Sequence, residues 1–225
     1  MKIVLSIGGS VLAPDGVDLE YVKNIADLLI KLSVKHKLAV VVGGGAPARK
    51  AISKARAGGA SWAECDYVGV LATRYNANAL IRALAGRSNQ EIPTSLPEAV
   101  VLFGNKILVM GGTEPGHSTD AVAALIAEWV RADLFINASN VDAVYDKNPK
   151  EHKDAKPFKE VDIATLLRIV GGGSMEAGKY PLLDLVSARI VERSKIKTII
   201  LDARNLKNLE DAIEGRHFKG TTLLF

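Results

Sequence analysis

With one cysteine, Cys65, in 225 residues, no intrachain disulfide can form. The fold must therefore rest on burial of apolar surface, for which a chain of this length suffices. A reducing, cytoplasmic setting is the expectation. Aromatic residues make up 5% of the chain, too few for a protein whose main task is stacking on nucleic-acid bases. An excess of one charge is also missing. The 29 Lys and Arg against 25 Asp and Glu leave +4, dispersed along the chain. That suits a small anionic ligand better than a nucleic-acid backbone, so no nucleic-acid partner is expected. The recurring Lys147, Lys150, Lys153, Lys156 and Lys159 are interleaved with Glu151, Asp154 and Glu160 and read as a solvated face. Long hydrophobic runs are absent too. Ala121 to Val130 is broken by Glu128 and is far shorter than a bilayer span, so no membrane partner is expected. No His/Cys cluster with metal-ligand spacing appears, and no protein-held metal is expected. The chain opens directly on an apolar run, with no signal peptide expected ahead of it.

What is present is a strand–glycine–helix pattern, stated twice. Lys2–Ile7 reads as a buried parallel strand running into a tight turn at Gly8, Gly9 and Ser10. Asp18 then caps a helix over 19–36, with Val22, Ile25, Leu29 and Leu32 at helical spacing. Leu38–Val42 is a second buried strand, ending in Gly43, Gly44 and Gly45, and a helix from Ala46 to Ala57 follows, carrying Arg49. Strand, crossover helix and strand predict a right-handed parallel unit. Both glycine turns then fall on the carboxyl edge of the sheet, where open α/β sheets bind ligands. Neither turn spells a P-loop or the spaced glycine fingerprint of dinucleotide binding. Contiguous glycines nevertheless let the backbone approach a phosphate and aim N–H groups at it. Packing turns without a ligand are the alternative. Further on, the pattern predicts helices over 67–85, 119–131, 162–170, 180–194 and 209–214. Strands are predicted over 106–110, 133–138, 197–202 and 221–225, and 86–105, with two prolines, stays unassigned.

Gly111 to Asp120 is a loop broken by Gly and Pro and rich in hydroxyls, and it ends at an acid on the threshold of the helix Ala121 to Glu128. A helix start offers free N–H groups and the positive end of the dipole, which suits a phosphate. Asp120 would weaken anion binding there unless it has another task, such as holding a metal or orienting cationic groups. Simple capping by Thr119 or Asp120 is the alternative.

Four segments together resemble the amino acid kinase family, and within it the archaeal-type uridylate (UMP) kinases: Ile7 to Ser10, Val42 to Arg49, Gly111 to Glu128, and Asn140 to Pro149. The resemblance implies a three-layer αβα sandwich around a central, mostly parallel sheet, formed by residues 1–225 as one domain. It implies transfer of the ATP γ-phosphoryl group to UMP, with Mg²⁺ carried by ATP. UMP would lie over the N-terminal half and ATP over the C-terminal half, in a homo-oligomer (a hexamer built as a trimer of dimers) with helix 19–36 a candidate contact.

The resemblance also implies site residues. Gly8, Gly9 and Ser10 match the loop cradling the ATP phosphates. Gly44 matches a UMP contact; Gly45 and Arg49 match positions facing the transferred phosphate and ATP. Asp66 matches the acid bonding the UMP ribose, with helix capping as the alternative. Thr113, Glu114, Pro115, Gly116, His117, Ser118 and Thr119 match the loop that wraps UMP. Asp120 matches the acid organising the groups around the reacting phosphate. Ser139, Asn140, Tyr145, Asp146 and Asn148 match the segment holding adenosine. Asp120, Arg49 and, from a looser match, Lys179 are the expected catalytic residues. One departure stands out: many relatives carry a lysine two residues before the paired glycines, where this chain has Ser6. That loss leaves open a sensor or storage module without catalysis, and a kinase of the same fold with another acceptor (an amino acid carboxylate, carbamate or isopentenyl phosphate) is the remaining alternative.

Overall fold

In the computed structural model, which describes residues 1–149, 151–171 and 183–225, seven strands form one sheet in the order β3-β2-β1-β4-β6-β7-β5. In chain order the elements are β1 (Lys2–Ile7), α1 (Gly9–Leu12), α2 (Leu19–Ser33), β2 (Lys37–Val42), α3 (Gly45–Ala57) and α4 (Trp62–Ala83). There follow α5 (Leu96–Leu102), β3 (Leu108–Met110), α6 (Thr119–Trp129), β4 (Leu134–Ser139), β5 (Glu160–Asp162) and α7 (Ile163–Val170). The chain closes with α8 (Leu185–Ser194), β6 (Thr198–Asp202), α9 (Leu206–Ile213) and β7 (Thr221–Leu224). Every strand pair is parallel except β6 with β7.

The central strands are apolar at nearly every position because helices cover both faces. Alternation along each strand splits the core in two. Ile3, Leu5 and Ile7 point to the side packed by α2, α4 and α9. Val4, Val41 and Phe135 point to the side packed by α5, α6, α7 and α8. The result is the expected αβα sandwich. Because β1 to β4 run parallel and in register (Ile7 opposite Val42 and Ala138, Val41 opposite Met110), their C-terminal turns lie side by side on one edge.

Several boundaries differ from the sequence expectation. The turn after β1 coils into α1 instead of remaining a simple tight turn, with Val11 and Leu12 both donating to the Gly8 carbonyl. Helix α4 begins at Trp62, five residues early, because Ser61 and Glu64 form a reciprocal capping box. Asp66 is thus inside α4 and caps nothing. The unassigned 86–105 stretch holds α5, capped by Ser95 and carrying Pro97 in its first turn, where a missing N–H costs little. Helix α6 is capped by Ser118, whose Oγ accepts from the Ala121 N–H, so neither Thr119 nor Asp120 is the cap. Helix α8 starts at Leu185 under an Asp184 cap, with Leu183 and Asp184 outside the helix; the expected start at Tyr180 lies outside the described residues. Short β5 was not foreseen.

Candidate active site

The glycine turns after β1 and β2 meet through their backbones. A Cβ on Gly9 would lie 2.1 Å from the Gly45 nitrogen and 2.6 Å from the Gly44 nitrogen, and one on Gly43 would lie 2.5 Å from the Gly9 nitrogen. No side chain fits in that contact. Gly45 also holds φ +65°, a left-handed conformation natural to glycine, with its α-carbon turned toward the carbonyls of Gly9 and Ala13. The packing reading of these glycines is therefore correct as far as it goes, and the contact also brings both turns to one point. Gly8 donates its N–H to the Ala138 carbonyl at 2.8 Å, and a Cβ there would lie 3.1 Å from Ser139 Cα, so the end of β4 joins the same cluster.

From beneath, α4 fixes the second turn. The fully buried Asn76 donates from Nδ2 to the carbonyls of Gly43 (2.9 Å) and Gly44 (3.0 Å). Thr73 Oγ1 accepts from the Gly112 N–H at 2.7 Å, and Arg74 donates to the carbonyls of Gly112 (3.1 Å) and Thr113 (2.7 Å). Helix α4 thus ties the loop after β2 to the loop after β3. None of these three residues was singled out from the sequence. Thr73 and Asn76 interrupt the apolar face of a helix, and that interruption was the available signal.

A cleft of about 460 Å³ opens between α3, α4 and the β3–α6 loop. Gly44, Gly45, Arg49 and Asp66 line one part of it, and Gly116 to Thr119 line another. Arg49 is exposed and pairs with no carboxylate among the described residues. Asp66 reaches across from α4 to accept the Gly116 N–H at 3.0 Å. Gly116 turns with φ +83°. Exposed Glu114 and His117 face each other at 3.7 Å, beside exposed Pro115, while Thr113 is buried. Lys179 lies outside the described residues, as do Gly172 and Gly173.

Asp120 sits one residue into α6, on the side facing the sheet. Its Oδ1 accepts from Ser6 Oγ at 2.6 Å, and the Asn137 side chain, beside Ser6 across the β1–β4 ladder, favours its charged form. Although some of the residue's surface is open, the carboxyl group lies deep in protein. That desolvation pushes its pKa up to about 6, with the charge of Asp184 adding to the rise and the Ser6 and Asn137 hydrogen bonds opposing it. Asp184, which the sequence reading missed, links the heads of two helices: it caps α8 and accepts from Ser118 Oγ at 2.5 Å.

The segment after β4 lies apart from this cleft, running from Ser139 toward β5 and β7. Ser139 Oγ accepts from the Val141 N–H, Asn140 is exposed, and Tyr145 OH donates to Asp142 at 3.0 Å. Asp146 exchanges two hydrogen bonds with the Lys156 backbone, and the Asn148 carbonyl accepts from Glu151 and His152. Ser10 is half-buried in α1. In the lysine-rich stretch, Lys147 pairs with Asp154, as a solvated mixed-charge face would.

Fold and cleft define the class: a three-layer α/β protein with a glycine-floored cleft at the carboxyl edge of its parallel strands. The chain belongs to the amino acid kinase family, whose sequence model matches residues 1–202. The uridylate kinase of Methanothermobacter thermautotrophicus is 42% identical over 225 residues, covering 100% of this chain and 99% of that protein. That of Methanobrevibacter smithii is 41% identical over 216 residues, 96% of either chain. The crystal structure of uridylate kinase from Archaeoglobus fulgidus, 40% identical, superposes with a TM-score of 0.88 and full coverage of both chains.

Proposed function

We propose that this chain is a uridylate kinase of pyrimidine nucleotide synthesis, passing the γ-phosphoryl group of ATP to UMP to give UDP and ADP. The observation that carries the reading is the backbone contact of the two glycine turns with Asp120 tied in beside them, in a chain alike along its whole length to kinases of that name. A UMP phosphate oxygen forms the new bond to phosphorus while the bond to the ADP oxygen breaks. The acceptor already lacks a proton, so no general base is required, and alignment and charge neutralisation are the protein's tasks. Backbone N–H groups of Gly9 and Gly45 would face the phosphates, with Gly8, whose own N–H is held by the Ala138 carbonyl, shaping the turn beside them. Arg49, an exposed cation lining the cleft, would neutralise the group in transit. Gly44, Asp66 and the Thr113–Thr119 loop would hold UMP, and Asp120 would orient the reacting groups. Ser139, Asn140, Tyr145, Asp146 and Asn148 would hold adenosine, so that one domain over 1–225 seats UMP on its first half and ATP on its second.

Among the described residues no group of three His, Cys, Asp or Glu side chains gathers to cage a metal. We infer that Mg²⁺ would arrive on ATP, since this ion keeps waters and takes phosphate oxygens readily. Its chemistry there would be to neutralise phosphate charge.

We read the enzyme as a cytoplasmic homo-oligomer, a hexamer built as a trimer of dimers. Its one cysteine is buried, and no helix among the described residues is long and apolar enough to cross a membrane. The outer face of α4 supports copy-to-copy contact: Tyr67, Leu71 and Tyr75 recur every four residues and are 48%, 48% and 71% exposed. The apolar face of α2 is instead buried in the core. A mass measurement in solution checks the assembly. For the activity, a coupled assay across nucleoside monophosphates with ATP and Mg²⁺ should show UDP formation and preference for UMP. Binding of ATP and UMP without turnover, or turnover only with another acceptor, would overturn the assignment.

A further inference from the structure

Two buried polar residues stand in strands whose other buried positions are all apolar. Ser6 on β1 and Asn137 on β4 are direct register partners, each 1% exposed, on the face that packs against α6. Their neighbours on that face are Val4 and Phe135. A core that served stability alone would favour apolar residues here, because burying a polar group without a partner is destabilising. That cost is visible: Asn137 Oδ1 is buried with no hydrogen-bond partner among the described residues. What both side chains share is Asp120.

We propose that Ser6 and Asn137 are a neutral pair of positioning residues that fixes the rotation of the Asp120 carboxylate, so that its remaining lone pairs face the reacting phosphates. The inference rests on the uridylate kinase reading. A carboxylate accepts only, and the pair supplies a hydroxyl and an amide donor from adjacent strands of a rigid sheet. A second donor from the neighbouring strand, Asn137 alongside the Ser6 hydroxyl that lies 2.6 Å from Oδ1, would define a plane for the carboxylate, whereas Ser6 alone would leave it free to swing. They also carry no charge. Among the described residues, Asp184 at the head of α8 is the ionised group acting on Asp120, and it acts against ionisation; Ser6 and Asn137 oppose it through hydrogen bonds. Neither side chain touches substrate in this scheme; both act through Asp120.

The test is steady-state kinetics on Ser6→Ala, Asn137→Leu and Ser6→Thr, with UMP and ATP varied separately and kcat followed against pH. Misorientation of a reacting-site group lowers kcat on the order of 10-fold or more. Ser6→Ala and Asn137→Leu should do so while both KM values stay within about twofold. The acid limb of kcat should move to higher pH, since a carboxylate that loses a donor is protonated more easily. Ser6→Thr, which keeps the hydroxyl on a β-branched frame suited to a strand, should restore most of the rate. Should Asn137→Leu fail to fold, the Ser6 pair decides alone. Folded Ser6→Ala with unchanged kcat and an unmoved acid limb would overturn the proposal, as would a loss confined to KM. If the unsubstituted protein makes no UDP, the kinase assignment fails first and takes this inference with it.

Discussion

Replacing Asp120 by Asn should make the protein more stable and less active, and the pH dependence should show why. The carboxyl group titrates near pH 6 in the native state against an ordinary value of 3.8, chiefly because it is desolvated. Between these values the native state binds a proton that the unfolded chain has released. Stability therefore falls as pH rises from about 4 to about 6, and the penalty is complete above that interval. A gap of about two pH units, at ~1.4 kcal/mol each, amounts to about 3 kcal/mol. Asparagine is nearly the same shape, and its carbonyl can still accept from Ser6. Its amide can donate to the unpaired Asn137 Oδ1 once that amide turns. At pH 7.5 the variant should be about 1–3 kcal/mol more stable, which for a chain of this size raises Tm by roughly 3–10 °C. At pH 4.5 the advantage should be smaller by about 2 kcal/mol, since only about a third of the penalty is present there. Thermal unfolding at both pH values, with UDP formation measured on the same samples, is the assay. A Tm difference independent of pH, or a variant less stable at pH 7.5 than at pH 4.5, would refute the desolvation argument.

Gly9→Ala would place a methyl group 2.1 Å from the Gly45 nitrogen, more than an ångström inside ordinary contact and against backbone that no rotamer can relieve. A loss of about 3 kcal/mol or more is expected in chemical unfolding, while Gly16→Ala, with nothing within 4 Å, should stay within about 0.5 kcal/mol of the parent. Asn76→Ala removes two hydrogen bonds, leaving the Gly43 carbonyl without its side-chain donor and the Gly44 carbonyl with only the Ala48 N–H. It should cost about 1–3 kcal/mol by the same measurement and should raise the KM for UMP; unchanged stability and an unchanged KM would refute the part given to Asn76.

Much of this architecture could be read from the chain because the signals were local. Fully apolar runs ending in glycines located β1 and β2, and helical spacing located α2. Their parallel arrangement followed from the handedness of the crossover, and with it the shared edge. The missed elements had weaker or misweighed signals. The capping box at Ser61 and Glu64 was present in the sequence, yet the apolar spacing from Tyr67 onward drew attention away from it. Strand β5 is three residues long and is stabilised by its neighbour β7 and not by any pattern of its own. In the site, the glycines and Asp120 carry unusual residue types at element ends and are visible in one dimension. Asn76, Asn137 and Asp184 act through partners 33, 17 and 66 positions away, so only the folded chain brings out their part.

The seam between Gly9 and the turn of Gly43, Gly44 and Gly45 has a consequence for how the two halves can change. Main chain rests on main chain there, with no side chain to repack as a cushion. A displacement on one side must reach the other undamped. Tuning the chain for a new acceptor is therefore confined to the opposite wall, the side chains of α4 and the loop from Gly112 to Thr119, which can vary while the seam stays as it is.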